Sequence, residues 1–384
     1  MAKYCSRCLL NTGIPGVVVR EGDQCSVCED YDRQTDDLMA NKEKKMAELE
    51  GIFEIIRKRK LLYDVVVPLS GGRDSTYVLY LCKKKYNLNC LAVTWENGFL
   101  APHAKENIER ACRILNVDHL YYGLGEEKIM RLYSYFFART GLFCPVCMSG
   151  ISAATARAQA AFNIPLAVTG TSKRTEEHTS PEYFMWDDRG FMKNVFESET
   201  IREDAEVLMD EKCLGFRVGT PGYRYFWERT VYRRKVYSYL NLPDYMEWKY
   251  GDVYRSITDE LDWSAHKKEA EHTDCVVDNV VHYFRYRKYP ALIPELLRYS
   301  KLVTAGQMSR TEAEKKVEEI KSSMKEPANL DWFLETLQLS RKEMDHILSI
   351  PDRHMKYIQH PSQMRKAMRK VKARAVRIVG RRRS

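Results

Sequence analysis

Short apolar runs alternate with longer amphipathic stretches between residues 63 and 172 of this chain. Four runs rich in β-branched and aromatic residues predict strands, at 65–69, 90–94, 119–122 and 166–169, and the first looks like a buried strand. The stretches between and beside them have helical spacing and predict helices, at 76–85, 102–115, 126–140 and 151–162. Strands that alternate with helices build a parallel sheet with helices on both faces. The sequence therefore predicts an α/β fold with a doubly wound parallel sheet.

The remaining parts of the chain have other patterns. Residues 36–60 are rich in Lys, Glu, Met and Leu and predict a connecting helix, whereas residues 175–260 have weak periodicity. Beyond Cys275 the pattern is helical. We therefore expect a cysteine-rich segment at 1–35, a linker helix at 36–60 and a domain built on the sheet at 61–260. A helical region at 261–360 and a basic tail at 361–384 follow.

The composition is that of an ordinary globular protein, with 44% hydrophobic and 30% charged residues in a chain of 384. No apolar run approaches the roughly 18 residues that a membrane-spanning helix needs. The first residues also lack the apolar region of a signal peptide. We therefore expect a cytoplasmic protein.

The net charge of +9 comes from one end of the chain. Residues 365–384 contain ten Lys and Arg and no acidic residue, so the rest of the chain is close to neutral. Apolar residues recur at helical spacing among these charges, which predicts a basic amphipathic helix. Its partner would be RNA or an anionic membrane, which would make the protein peripheral at the inner membrane face; a solvated terminus is the alternative.

A Ser/Gly-rich turn follows the first predicted strand, Ser70-Gly71-Gly72-Arg73-Asp74-Ser75-Thr76. Glycine permits a tight turn and a close approach of the backbone to a ligand. The start of the next helix offers N–H groups and the positive end of a dipole, and the hydroxyl groups add donors. The turn predicts a phosphate site, against the alternative of a βα turn that binds nothing. It lacks the lysine and the spacing of a Walker loop.

Two C-x-x-C pairs lie near the N-terminus, Cys5 with Cys8 and Cys25 with Cys28. Each pair can hold a metal from a tight turn, and four thiolates complete a tetrahedron. A segment this short has too little core to fold alone, so the metal would supply its folding energy. We expect a structural zinc site in a zinc ribbon; free thiols or an iron–sulfur cluster are the alternatives.

A third C-x-x-C pair, Cys144 and Cys147, lies inside the domain built on the sheet. With the distant Cys275 it offers three thiolates and an open position, which suits an iron–sulfur cluster. His272 as a fourth ligand suits zinc instead. The alternative is that these residues are unrelated. The isolated cysteines are expected in the core: Cys82, Cys90, Cys112 and Cys213.

These motifs together resemble the N-acetyl sugar amidotransferases of bacterial and archaeal surface-glycan biosynthesis. The S-G-G-x-D-S pattern at 70–75 resembles the PP-loop, the pyrophosphate-binding loop of the adenylating ATP pyrophosphatases. Residues 5–12 and 22–28 are similar to the N-terminal signature of the family, and residues 271–275 and 306–313 to its later motifs. The resemblance spans about residues 1–355 and implies a PP-loop, HUP-like fold for the sheet domain.

The resemblance implies an ATP- and Mg²⁺-dependent enzyme. It would adenylate the acetamido oxygen of a nucleotide-linked N-acetyl sugar and release pyrophosphate. Ammonia would then displace AMP and leave an acetamidino sugar for lipopolysaccharide biosynthesis. Because no glutaminase motif stands out in this chain, the ammonia would come from glutaminase and cyclase-like partner subunits.

The resemblance also implies roles for individual residues. The phosphates would be held by Ser70, Gly71, Gly72, Ser75 and Thr76. Asp74 would bind Mg²⁺ or fix the loop, and Arg73 would add charge or face solvent. Asp74, Ser75 and Arg73 are the expected catalytic residues. Thr94 and Gly170 would flank the adenine and the ribose.

Sulfur transfer to tRNA is the competing interpretation. Some PP-loop tRNA thiolases combine cysteine zinc sites with a C-x-x-C pair and a distant cysteine that hold an iron–sulfur cluster. Cys144, Cys147 and Cys275 would then hold a 4Fe–4S cluster, and the basic tail would bind RNA. A zinc-ribbon nucleic-acid-binding protein is a third interpretation, which the near-neutral body disfavours.

Overall fold

The structure is a computed structural model. It describes residues 2–14, 16–20, 24–172, 189–197, 199–209, 213–220, 222, 226–231, 233, 235–265, 274–289, 293–351 and 356–357. The candidate ligand His272 and the basic tail at 361–384 lie outside the described residues. Within the described ranges, every helix is too short or too polar to cross a membrane.

The strands of the described residues form one parallel sheet. They are β1 (Val65–Pro68), β2 (Cys90–Glu96), β3 (Asp118–Gly123), β4 (Leu166–Thr169), β5 (Cys213–Arg217) and β6 (Lys235–Asn241). Their order across the sheet is β3-β2-β1-β4-β6-β5. Val66 of β1 lies opposite Leu91 of β2 and Ala167 of β4. The chain runs outward from β1 through β2 to β3 and then crosses back to β4 on the other side of β1. The ends of β1 and β4 therefore form a switch point, where such sheets bind ligands.

Helices occupy most of the other described segments. They are α1 (Ser26–Ala40), α2 (Lys42–Arg57), α3 (Arg73–Tyr80), α4 (Pro102–Leu115), α5 (Glu126–Thr140), α6 (Cys144–Phe162), α7 (Arg189–Val195), α8 (Glu199–Ala205), α9 (Tyr250–Leu261), α10 (Asp278–Lys288), α11 (Pro294–Thr304), α12 (Arg310–Ser323), α13 (Leu330–Thr336) and α14 (Arg341–Ser349). A π-helical turn at Leu81–Lys85 continues α3.

Buried side chains cover both faces of the sheet. Val65 and Val67 belong to a core with residues of α2, α3, α4 and α9, whereas Val66 belongs to a core with residues of α5, α6, α13 and α14. Because side chains alternate along a strand, one apolar run serves both cores. The prediction of a doubly wound parallel sheet is confirmed. Cys82, Cys90 and Cys112 are buried in the first core, as expected.

A third core joins the N-terminal cysteine-rich segment to helices α11 and α12. Leu10 and Ile14 of the cysteine-rich segment are buried with Leu297 of α11 and Val317 of α12. The helical C-terminal region therefore forms a platform for the N-terminal cysteines. The expected boundary between residues 35 and 36 lies within α1, which begins inside the second C-x-x-C pair.

The structure contains two strands that the sequence pattern did not indicate, and one helix begins earlier than predicted. β5 and β6 lie in the weakly periodic stretch, and only two residues of β6, Val236 and Leu240, are buried. A strand near the sheet edge with so few buried positions lacks a clear apolar alternation. Helix α6 begins at Cys144, before the predicted start at residue 151, because Pro145 occupies a first-turn position where proline is well tolerated.

Candidate functional site

The predicted phosphate turn follows β1 and includes the first turn of α3, at the switch point of the sheet. Gly71 has a φ of +78°, and a Cβ atom at this position would lie 2.3 Å from the carbonyl oxygen of Ala104. An L side chain meets both a strained backbone and a main-chain atom there. The turn therefore packs backbone to backbone on α4, which only glycine permits.

Hydroxyl groups inside the turn hold its shape. Ser70 Oγ lies 3.2 Å from Ser75 Oγ and accepts the Gly72 N–H at 3.3 Å. The hydroxyls of Ser75 and Thr76 donate to the Gly72 carbonyl at 3.1 and 2.8 Å. Gly72 is the N-cap of α3 and provides no side-chain cap. The helix start therefore suits an anionic ligand that accepts its N–H groups.

Asp74 and Arg73 are held by protein partners. The indole Nε1 of Trp248 donates to Asp74 Oδ1 at 2.8 Å, and Arg73 pairs with Asp74 Oδ2 at 2.9 Å. The Arg73 guanidinium lies 4.0 Å from the centre of the Tyr250 ring. Asp74 is thus held by two side-chain contacts, and Arg73 packs on an aromatic ring; Mg²⁺ binding by Asp74 stays a prediction. Trp248 and Tyr250 were missed by sequence reasoning; their only signal was the aromatic-rich stretch that contains them.

Thr94 of β2 contacts the chain directly before the loop. Its hydroxyl donates to the Leu69 carbonyl at 2.6 Å and lies 2.7 Å from His119 Nε2. Burial lowers the pKa of His119 to about 4, so the ring is neutral at pH 7. Since the Thr94 proton is used on Leu69, His119 donates its Nε2–H to the Thr94 oxygen. Both sides of the Thr94 hydroxyl are therefore used within the protein.

Gly170 packs against the same helix. A Cβ atom at this position would lie 3.2 Å from both the Asp74 carbonyl oxygen and Val78 Cγ2. The missing side chain lets the end of β4 approach α3 closely. Gly170 therefore helps to position the loop from the side opposite to Thr94.

The segment at 274–276 lies directly beside the loop. It pairs with residues 99–101: the Ala101 N–H donates to the Asp274 carbonyl at 2.9 Å, and the Val276 N–H donates to the Phe99 carbonyl at 2.9 Å. Asp274 Oδ2 lies 3.5 Å from the point that a Cβ atom on Gly72 would occupy. This carboxylate was not among the predicted site residues. Its signal was its membership of the motif at 271–275.

The cysteines Cys144, Cys147 and Cys275 are brought to one region next to Asp274. Burial raises the pKa of Cys147 to about 11. Burial also raises the pKa of Cys275, and the charges of Cys147 and Cys144 add to this shift. Asn97 Nδ2 donates to Cys147 Sγ at 3.5 Å. Within the described ranges these three sulfurs do not all lie within 4.8 Å of one another, so they do not form a ligand set for a single ion.

The four N-terminal cysteines form a buried metal-ligand set. All four Sγ atoms lie within 4.8 Å of one another, with 3.9 Å between Cys5 and Cys28 and 3.7 Å between Cys8 and Cys25. Bonds of about 2.3 Å to a tetrahedral zinc ion separate sulfurs by about 3.8 Å. The donor set and its spacing fit zinc.

Residues of α11 and α12 contact the cysteine site. Thr304 Oγ1 lies 3.2 Å from Cys28 Sγ, and Arg310 Nη1 donates to the Cys5 carbonyl at 2.7 Å. Gln307 Oε1 accepts the Tyr250 N–H at 3.4 Å. The motif at 306–313 therefore has a structural role: it connects the cysteine site to the helix that carries Tyr250, on which Arg73 packs.

A separate cavity of about 350 Å³ opens at the carboxyl ends of β5 and β6. Its lining includes Lys45, Arg217 and Asp244, and Arg217 pairs with Asp244. Ser172, two residues beyond Gly170, donates to Asp244 at 2.8 Å. The cavity therefore lies on the same edge of the sheet as the loop.

Comparisons with known proteins identify the C-terminal region. Residues 274–372 match the family described as LPS biosynthesis protein WbpG-like, C-terminal domain. An uncharacterized protein of Methanocaldococcus jannaschii is 34% identical over 96 residues, which are 24% of this chain and 35% of that protein. The chain thus spans about a third of the length of this curated relative.

Among solved structures, the U34-tRNA thiolase NcsA from Methanococcus maripaludis with its 4Fe–4S cluster is similar at 16% identity. The similarity covers 78% of this chain and 92% of the thiolase, with a TM-score of 0.29. At that score, the likeness has no bearing on the function of this chain.

Proposed function

We propose that the chain uses ATP to activate the acetamido group of a nucleotide-linked N-acetyl sugar, because its loop at 70–76 resembles a PP-loop and residues 274–372 match a WbpG-like C-terminal domain. One observation carries this proposal. The family match begins at Asp274, and the carboxylate of Asp274 borders the loop at Gly72. The first residue of the region that matches the LPS biosynthesis domain therefore lies beside the candidate phosphate loop.

The proposed reaction has two steps. The acetamido oxygen attacks the α-phosphorus of ATP, the bond to the β-phosphate oxygen breaks, and pyrophosphate leaves. An amide oxygen is a poor leaving group, and esterification with AMP makes it a good one. Ammonia then adds to the activated carbon, AMP departs with the oxygen, and loss of a proton leaves the acetamidino group.

The loop residues would serve the first step. The N–H groups at the start of α3 bind the phosphates, and the hydroxyls of Ser70 and Ser75 orient the loop around them. Trp248 and Arg73 fix the Asp74 side chain, so the loop is held before ATP arrives. Mg²⁺, when bound, neutralises charge on the departing pyrophosphate.

Partners and metal complete the proposal. Free ammonia would come from a glutaminase with a cyclase-like subunit, because the chain has no glutaminase motif of its own. Cys5, Cys8, Cys25 and Cys28 would hold a structural zinc ion that keeps the N-terminal segment on α11 and α12.

The first test is a coupled assay of the purified chain. With ATP, Mg²⁺ and ammonium chloride, we expect AMP and pyrophosphate to form only when a nucleotide-linked N-acetyl sugar is added. The same sugars with a free amine in place of the acetamide are the matched controls. Equal pyrophosphate release with the amino sugars would contradict the proposal, because they have no acetamido oxygen to adenylate.

Sulfur transfer is the second candidate, and the convergence of Cys144, Cys147 and Cys275 favours it. A multi-iron cluster spans a wider gap than a single ion, so these sulfurs could hold one without the close spacing of the N-terminal set. Iron content and broad visible absorbance after anaerobic purification, both lost in Cys147→Ser, would support sulfur transfer. Zinc without iron would support the sugar reaction.

A further inference from the structure

Two aspartates lie at the loop, and they have different surroundings. Asp74, within the loop, accepts a hydrogen bond from Trp248 and pairs with Arg73. Asp274, contributed by the C-terminal region, has no ion pair with any Lys, Arg or His of the described ranges. Asp274 is half-buried, so its carboxylate is neither neutralised by the protein nor fully hydrated. Asp274 is therefore the carboxylate at the loop that is open to a cation from outside the protein.

We propose that Asp274, rather than Asp74, is the carboxylate that binds the divalent cation of the nucleotide at this loop. The inference rests on the proposed function, because it needs ATP at the loop. Asp274 Oδ2 lies 3.5 Å from the point where a side chain on Gly72 would begin, which is the space above the N-cap of α3. A phosphate bound to the first N–H groups of α3 lies next to this carboxylate.

The backbone of Asp274 is fixed, so its carboxylate is held at the loop. Its carbonyl accepts the Ala101 N–H at 2.9 Å, and Cys275 pairs with Leu100. Ala101 is the N-cap of α4, and α4 contacts the loop backbone at Gly71 through Ala104. The loop and Asp274 therefore both contact the start of α4. Neither can move away from the other without breaking these contacts.

Electrostatics then requires a cation between them. A carboxylate beside a bound triphosphate repels it, and the repulsion is strong in a partly buried site. Mg²⁺ prefers carboxylate and phosphate oxygens and is commonly bound through one or two carboxylates together with substrate phosphates. With the cation present, Asp274 attracts the nucleotide complex; without it, Asp274 opposes binding. Asp274 should therefore increase nucleotide affinity when the cation is present and decrease it when the cation is absent.

This change of sign can be measured by binding, without turnover. Isothermal titration with α,β-methylene-ATP, which is not cleaved at the reacting bond, is carried out on the full chain in Mg²⁺ and in EDTA. For the wild-type chain we expect about tenfold tighter binding in Mg²⁺. For Asp274→Asn we expect that gain to vanish, and binding in EDTA to be tighter than in the wild type. Binding of Mn²⁺ with the nucleotide, followed by electron paramagnetic resonance, should weaken about tenfold in the variant.

The matched control is Asp345→Asn, which removes the same charge from α14, where Asp345 pairs with Arg287 of α10 at the surface. It should keep the full Mg²⁺ gain, and circular dichroism melting checks that Asp274→Asn is folded. An Mg²⁺ gain in Asp274→Asn equal to that of the wild type overturns the inference and leaves the proposed function intact. No binding of the nucleotide by the wild type in either condition overturns both.

Discussion

Gly71→Ala should weaken nucleotide binding and destabilise the protein. Position 71 has a φ of +78°, which is unfavourable for alanine, and the new Cβ would lie 2.3 Å from the Ala104 carbonyl oxygen. Because that atom belongs to the backbone of α4, the loop itself must move. We expect a loss of about 2–4 kcal/mol in the free energy of unfolding. Nucleotide affinity should fall by at least about tenfold, since the N–H groups at the start of α3 lose their alignment.

Gly219→Ala separates the two causes. Gly219 has a φ of +85°, but a Cβ atom there would meet nothing within 4 Å. It therefore shares the backbone strain of Gly71 without the collision. Denaturant unfolding and titration with α,β-methylene-ATP compare the two variants. If Gly71→Ala bound nucleotide as tightly as Gly219→Ala, the loop would not be the phosphate site.

Cys28→Ser should remove the metal and release the N-terminal segment from its platform. The four thiols fit one tetrahedral ion, and Cys28 also contacts Thr304 of α11. Structural zinc contributes about 10 kcal/mol to the folding of small zinc peptides, so loss of one of four ligands should cost several kcal/mol here. We expect zinc content to fall from one ion per chain to none. Chelation of zinc from the wild type should likewise shift its unfolding transition to lower denaturant concentration.

Cys112→Ser is the control for the loss of a buried thiol. Cys112 is buried in the core beneath the sheet and belongs to no ligand group among the described residues. Its substitution should leave zinc content unchanged and cost only about 1–2 kcal/mol. A wild-type chain that contains no metal, or a Cys28→Ser variant as stable as Cys112→Ser, would be incompatible with a structural zinc site.

The sequence predicted those features whose signals are local. The loop from Ser70 to Thr76 was recognisable because its glycines, hydroxyls and flanking apolar run are adjacent in the chain. The cysteine pairs were recognisable because spacing alone limits what two nearby thiols can hold. The strands β1, β2 and β4 were predicted because their apolar runs are buried on both faces of the sheet. The edge strand β3 has no buried residue and was predicted from its apolar and aromatic side chains.

The features that were missed depend on contacts between distant residues. Trp248 reaches Asp74 across 174 positions of the chain, and Arg310 reaches Cys5 across 305. Neither contact has a signature in the local pattern, because an indole N–H or a guanidinium is recognised as a partner only when the fold brings it there. Thr94 follows the same logic: its hydroxyl is used by Leu69 and His119, which the sequence could not reveal.

Isotope transfer tests most directly whether the acetamido oxygen is the atom that attacks ATP. The substrate is a nucleotide-linked N-acetyl sugar with ¹⁸O in the acetamido carbonyl, incubated with the chain, ATP, Mg²⁺ and ammonium chloride. Mass spectrometry of the released AMP should show one ¹⁸O atom, because AMP departs with the oxygen that it activated. Unlabelled AMP, with the label kept in the sugar product, would contradict adenylation at the acetamide.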